Sequence, residues 1–172
     1  MSEPKTAGEA PESVVVEETR GGGRYQVEVR AGGVSFLADE PVASGGLGSG
    51  PNPYDLLGAA LGACTAMTLR LYADRKAWPL ERVKVLVNHE RSGLDARDQF
   101  IREIRLEGAL DEAQRTRLLE IANRCPVHGT LERGADVRTT LIDFEPVPEP
   151  AETDIDQHMR DMCEACVDLG GS

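Results

Sequence analysis

Alternating apolar and polar positions predict that the first part of the chain folds as strands. Residues 14–16 are valines, and after two glutamates and a glycine turn at 21–23, residues 25–30 alternate between apolar and polar side chains. A period of two is typical of a strand with one face in water, so these segments predict a β-hairpin. Residues 34–37 follow a second glycine turn and predict a third strand.

From residue 53 the pattern changes, and the sequence predicts a long helix. Asn52 is a favourable N-cap residue, and the Pro after it is tolerated at the first helical position. The helix can continue to about residue 76, before Trp78, and as far as residue 71 it is apolar or small almost all round. Such a helix is expected to be buried on every side. Because it spans about 36 Å and the chain is short, we expect a second subunit to cover it.

Three further strands are predicted in the second half of the chain. Residues 83–89 alternate around three valines, and residues 101–107 alternate with Arg and Glu expected to point outward. Residues 135–144 predict a last strand, with Val137 and Leu141 on one face.

Two helices are predicted between these last strands. Asp111 followed by Gln114 is typical of a capping box, so a helix is expected to start there and to end near Arg124. Cys125 then precedes a Pro and is expected to be the N-cap of a second, short helix. The predicted order of elements is βββ–α–ββ–α–α–β, and the fold class is therefore α+β.

The composition and net charge of the chain exclude some classes of function. The chain has 172 residues and a net charge of −11, which argues against binding to nucleic acid or to an anionic membrane. Residues 1–13 predict a disordered tail, residues 14–146 the folded domain, and residues 147–172 an acidic, Pro-rich tail with a CxxC motif. No signal-like segment and no run of about 18 apolar residues is found, so we expect a cytoplasmic protein with reduced thiols.

Two cysteines are the candidates for chemistry. Cys64 lies in the middle of the apolar helix, where it is either an inert core residue or a reactive thiol. Cys125 is expected at a helix N-terminus, which stabilises a thiolate, although it can equally be a structural cap. Two such thiols suit a peroxide-reducing pair: one is oxidised to a sulfenic acid and the other condenses with it to a disulfide. An apolar pocket would favour organic hydroperoxides.

The residues around both cysteines resemble a known family. Residues 50–68, which contain Asn-Pro and Cys64 on the long helix, strongly resemble the helix motif of the OsmC/Ohr superfamily of osmotically induced and organic hydroperoxide resistance proteins. Residues 124–128 resemble its second cysteine motif. The resemblance implies an intertwined homodimer, with long central helices sandwiched between antiparallel sheets and an active site at the interface. It also implies thiol peroxidase chemistry with Cys64 as the peroxidatic and Cys125 as the resolving residue, without a cofactor and with an external dithiol as reductant.

The sequence departs from the family pattern in two places. Peroxidases of the family carry a Glu directly after the Asn-Pro, where this chain has Tyr54. They also use an Arg from the strand region, for which Arg24 on the hairpin is our candidate. Tyr54, Leu57 and Leu61 are the expected substrate-binding residues. These departures predict a branch of the superfamily with a different substrate or weaker activity.

Two other functions are open at this point. The chain can be a non-enzymatic dimer that binds a small hydrophobic molecule in its apolar cleft. It can also be a zinc protein, because the spacings Cys125-x-x-His128 and Cys163-x-x-Cys166 both match those of zinc ligands.

Overall fold

The computed structural model describes residues 14–93 and 95–141, together with Met162 and Glu164. The described part combines antiparallel sheets with helices, which confirms the predicted α+β class. The described residues divide into two compact units, residues 14–52 with 139–141 and residues 53–93 and 95–138 with Met162 and Glu164. The predicted tail at residues 1–13 lies outside the described residues, as does the predicted carboxy-terminal tail except for Met162 and Glu164.

The first unit contains the predicted hairpin and third strand as one antiparallel sheet. Its strands are β1 (Val15–Glu18), β2 (Val27–Ala31) and β3 (Val34–Ala38), in the order β1-β2-β3. After β3, the buried Asp39 carboxylate accepts hydrogen bonds from the backbone N–H groups of Glu40 and Leu47 and from both the N–H and the hydroxyl of Ser49. These bonds fold the glycine-rich loop that precedes the long helix.

The second unit begins with the long helix α1 (Pro53–Arg75), within one residue of its predicted end. A hairpin follows, made of β4 (Leu80–Glu90) and β5 (Gln99–Gly108). Helix α2 (Glu112–Ala122) starts at the predicted capping box, with Asp111 and Gln114 exchanging hydrogen bonds, and α3 (Pro126–Arg133) follows it. Helix α1 packs against β4, α2 and α3.

The carboxy-terminal half of α1 lies in an apolar cluster that holds this unit together. Leu69 of α1, Leu80 at the start of β4, and Leu118 and Ile121 of α2 are all buried there. Each fully buried Leu or Ile side chain contributes about 1.5–3 kcal/mol through the hydrophobic effect. By length and mean hydropathy alone, α1 could cross a bilayer, but 44% of its most apolar window is already buried within the protein.

One sequence prediction about the fold is wrong. Residues 134–141 form neither helix nor strand, and residues 142–144 lie outside the described part, so the predicted strand at 135–144 is absent over its described length. The side chains of Val137 and Leu141 are 86% and 97% exposed, because no strand of the described chain pairs with this segment. Within the single chain, Leu57 and Met67 of α1 are 44% and 51% exposed, and the expected burial of this helix by a second subunit stays a prediction.

Candidate active site

Cys64 lies on the buried face of α1, in the second unit. Its side chain is 2% exposed, and Leu61, Thr65 and Thr68 on the same face are also buried. The two threonines are tolerated there because their hydroxyls donate to backbone carbonyls four residues earlier, Thr65 to Leu61 and Thr68 to Cys64, each at 2.7 Å. The Cys64 thiol therefore lies in a buried environment in which the neighbouring threonine hydroxyls have hydrogen-bond acceptors.

Cys125 is the N-cap of α3, as predicted from the Pro that follows it. Its backbone is extended, Pro126 occupies the first turn, and the backbone N–H of His128 donates to the Cys125 Sγ at 3.4 Å. The side chain is 1% exposed. A sulfur at this position meets the positive end of the helix dipole, which favours a thiolate.

The fold brings these two sulfurs, 61 positions apart in sequence (64 to 125), into one buried cluster. Cys64 and Cys125 share this cluster with Leu61, and four partly buried apolar side chains pack around the three: Val87, Phe100, Val127 and Leu131. Both cysteines are free, and their sulfurs interact closely enough that each shifts the pKa of the other. The backbone N–H of Val127 in turn donates to the Cys64 Sγ at 3.5 Å. The arrangement is that of a dithiol able to exchange a proton internally.

The pKa values of the two thiols are shifted in opposite directions. The hydrogen bond from Cys64 lowers the pKa of Cys125, and the N–H of His128, the Thr65 hydroxyl and the charge of Arg102 lower it further against the opposing effect of burial. The same hydrogen bond, together with burial, raises the pKa of Cys64. Both directions favour the thiolate at Cys125 and the protonated thiol at Cys64.

Arg102 is the cation beside this dithiol, and the sequence analysis did not identify it. Its Nη1 donates to the Thr65 Oγ1 at 2.7 Å, and the Thr65 Oγ1 lies 3.6 Å from the Cys125 Sγ. The expectation that the arginines of this strand point outward is wrong for Arg102, although it holds for the exposed Arg105. The strand register contained the signal, because Arg102 alternates in phase with Phe100 and Ile104 on the inward face.

The other predicted site residues are distributed differently. Leu61 belongs to the dithiol cluster, whereas Leu57 is exposed. Arg24 belongs to the first unit, where its guanidinium lies 5.3 Å from the centre of the Tyr25 ring. Its role beside Cys64 stays a prediction.

Tyr54 lines a groove between α1 and β4, about 380 Å³ in volume. Its ring stacks on that of His89 with centroids 4.0 Å apart, and its hydroxyl accepts from Arg91 at 3.3 Å. The His89 Nε2 lies 2.8 Å from a carboxylate oxygen of Asp98. Small residues such as Gly62 form the helical wall of the groove, and Val87 separates it from the sulfur cluster. The groove thus combines an apolar floor with a polar, aromatic end.

The predicted zinc ligands are only partly described. Cys125 and His128 lie in the described chain, but Cys163 and Cys166 lie outside it. Within the described ranges, no three His, Cys, Asp or Glu side chains are grouped to hold a metal ion. The four-ligand site stays a prediction.

Comparisons with known proteins agree with this architecture. Residues 46–140, more than half of the chain, match the family model described as OsmC-like protein. No curated protein matches the sequence.

Solved structures of similar fold come from several bacteria. An OsmC like protein from Mycoplasma pneumoniae gives a TM-score of 0.60 at 17% identity, with 72% of this chain and 88% of that chain covered. An organic hydroperoxide resistance protein OsmC from Legionella pneumophila gives 0.54 at 23% identity, covering 72% and 91%. The organic hydroperoxide resistance protein OhrB of Bacillus subtilis gives 0.50 at 22% identity, covering 69% and 88%. At these identities the likeness establishes the fold alone.

Proposed function

The chain belongs to the OsmC-like protein family, and on that basis we propose that it is a thiol-dependent peroxidase that reduces organic hydroperoxides. The observation that carries the proposal is the pair of free thiols, Cys64 and Cys125, which lie in one buried apolar cluster and each accept a hydrogen bond from a backbone N–H. Two of its structural relatives are named organic hydroperoxide resistance proteins, and the apolar residues around the sulfurs suit a substrate with a hydrocarbon group.

The first step oxidises one sulfur. Cys64 attacks the terminal oxygen of the hydroperoxide and passes its proton to the Cys125 thiolate, which acts as its base. The S–O bond forms as the O–O bond breaks, so that Cys64 becomes a sulfenic acid and the substrate leaves as an alkoxide. The alkoxide takes up the proton from Cys125 and becomes the alcohol, and Cys125 is a thiolate again.

The second step forms the disulfide bond between Cys64 and Cys125. The Cys125 thiolate attacks the Cys64 sulfenic sulfur, the S–S bond forms, and hydroxide leaves and is protonated to water. An external dithiol then reduces the disulfide, supplying two electrons and two protons and becoming a disulfide itself. The proposed scheme uses no cofactor, and the cytoplasm, where dithiols are kept reduced, is its proposed location.

The proposed working form is a homodimer with the active site at the interface. One face of α1 is apolar yet exposed in the described chain, with Ala60, Ala63 and Met67. Exposed apolar side chains along one helix face are typical of a surface that a partner covers, and a second copy of this chain is the partner that the family resemblance implies.

Stopped-flow kinetics with cumene hydroperoxide and a dithiol test the proposal. We expect Cys64→Ser to lower turnover by at least about 1,000-fold because it removes the nucleophile. Cys125→Ser lacks the base and should react with the first equivalent of peroxide more slowly, and a second equivalent should then over-oxidise Cys64 to sulfinic acid, seen by mass spectrometry. Ala60→Ser, which places a hydroxyl one turn away on the exposed side of α1, is the control and should turn over normally. Equal rates in the wild type and both cysteine variants would refute the proposal.

A second candidate function is the binding of a small hydrophobic molecule without catalysis, favoured by the 380 Å³ groove beside Tyr54. The same kinetics separate the two functions. A binding protein would leave the hydroperoxide intact and lose no thiol, whereas the peroxidase consumes peroxide together with its thiols.

A further inference from the structure

Arg102 occupies an unusual position for an arginine. It lies on the inward face of β5, in phase with Phe100, and its side chain is only partly exposed. All three of its hydrogen-bond acceptors are neutral: the Thr65 hydroxyl, the backbone carbonyl of Ala122 and the side-chain oxygen of Asn123. Among the described residues no carboxylate forms a salt bridge with it. Its positive charge is therefore not cancelled by a neighbouring carboxylate.

The Thr65 hydroxyl links Arg102 to the dithiol. It accepts a hydrogen bond from the Arg102 Nη1 at 2.7 Å, which fixes the orientation of its lone pairs. Its single hydrogen can be given either to the Leu61 carbonyl, 2.7 Å away, or to the Cys125 Sγ, 3.6 Å away. When Cys125 is a thiolate, donation to sulfur becomes the stronger of the two, because hydrogen bonds to charged acceptors are stronger.

The other two hydrogen bonds of Arg102 anchor the backbone that leads to Cys125. The Nη1 donates to the Ala122 carbonyl at 3.1 Å and the Nη2 to the Asn123 Oδ1 at 2.8 Å. Ala122 is the last residue of α2 and Asn123 is its C-cap, two positions before Cys125. One side chain on β5 thus fixes both the hydroxyl that faces the sulfur and the end of the helix that precedes it.

We propose that Arg102 is a positioning residue that, through Thr65, holds the negative charge of the dithiol at Cys125. The inference deepens the proposed function, since the charge at Cys125 is what accepts the proton of Cys64. The other groups that face the Cys125 sulfur are the Cys64 thiol and the backbone N–H of His128. The His128 imidazole is paired instead with Glu132, at 3.2 Å.

The test is a pH titration of thiolate absorbance at 240 nm in the reduced full-length chain, with Cys163→Ser and Cys166→Ser as the parent so that Cys64 and Cys125 are its only thiols. Thr65→Val keeps the shape but removes the hydroxyl, and Arg102→Met removes the guanidinium. We expect both to raise the midpoint of the low-pH thiolate by about one pH unit.

Matched variants separate positioning from simple stability. Thr65→Ser restores the hydroxyl and should restore the parent midpoint, and Arg105→Met, which removes an outward guanidinium from the same strand, should leave it unchanged. Arg102→Lys keeps the charge but not the forked geometry and should shift the midpoint part of the way. If Arg102→Met does not fold, the pair Thr65→Val and Thr65→Ser decides alone.

Midpoints for Thr65→Val within about 0.3 units of the parent would overturn the inference. The titration uses no peroxide, so its result is independent of turnover. A shifted midpoint in a protein that consumes no hydroperoxide would reject the proposed function alone, and normal turnover with unshifted midpoints would reject the role of Arg102 alone.

Discussion

The two faces of helix α1 differ in how the chain completes them. One face, with Leu61 and Cys64, is buried at 2–3% exposure against α3 and the β4–β5 hairpin. The other face, with Ala60, Ala63 and Met67, is also apolar in sequence, but these residues are exposed in the described chain, Met67 to 51%. The same helix therefore has one face whose packing is set within the chain and another that the described chain leaves uncovered.

The covered face serves the proposed chemistry, and the exposed face serves the proposed assembly of two subunits. The covered face holds both sulfurs, their backbone donors and the Thr65–Arg102 pair, so the chemical environment of the dithiol is formed within one chain. The exposed face contributes no group to the two sulfurs. It is the surface on which the proposed second subunit would pack.

Stability should distinguish the two faces most strongly. Leu61→Ala leaves a cavity beside the sulfurs and should lower the free energy of unfolding by about 2–5 kcal/mol. Met67→Ala is the comparison truncation on the exposed face and should cost less than about 1 kcal/mol in dilute protein. Urea unfolding followed by circular dichroism measures both values. Equal losses would contradict the contrast between the faces.

Assembly tests the exposed face directly. If a second copy covers it, Met67→Lys should halve the mass in solution, because a charge at the centre of an apolar interface is left unpaired. Leu119→Lys is the control, since Leu119 of α2 is 53% exposed and Met67 is 51% exposed. Sedimentation equilibrium should show a dimer for the wild type and for Leu119→Lys. A monomeric wild type would refute the dimer.

The pH dependence of stability is the smallest expected effect, and it concerns the covered face alone. Because the pKa of Cys125 is lowered, the folded chain holds fewer protons than the unfolded chain between that pKa and the ordinary thiol value of about 8.5. The free energy of unfolding should therefore rise with pH across this window and fall as the pH drops through the folded pKa. Above about pH 8.5 the raised pKa of Cys64 has the opposite effect.

Urea unfolding under reducing conditions at about pH 6, 7 and 8 should show this slope in the wild type. Cys125→Ser removes the titrating group and should remove the slope, whereas Ala60→Ser on the exposed face should keep it. Parallel pH curves for the wild type and Cys125→Ser would contradict the assignment of charge to Cys125.

Much of the fold was accessible from local sequence signals. The alternation of residues 25–30, the Asn-Pro start of α1, the capping box at Asp111 and the Cys-Pro start of α3 each depend on neighbouring residues, and the structure contains all four elements. The predicted strand at 135–144 failed because alternation shows that a segment can pair but not whether a partner strand lies beside it.

The candidate site was only partly accessible for a similar reason. The two cysteines stand out in the sequence, and the alternation of β5 places Arg102 on the inward face. Its contacts with Thr65 of α1 and with the end of α2, however, join segments that are far apart in sequence. The assumption that charged residues of a strand face water concealed Arg102. Asn123 and Thr65, its hydrogen-bond acceptors, carry no sequence signal of their own.

The most direct test of the central claim, that Cys64 and Cys125 act together as a redox pair, is to treat the reduced full-length chain with one equivalent of cumene hydroperoxide. Peptide mapping by mass spectrometry then identifies the cysteines that become linked. The account predicts the loss of two thiols per chain and a Cys64–Cys125 disulfide as the main product. Unchanged thiols, or a disulfide confined to Cys163 and Cys166, would contradict it.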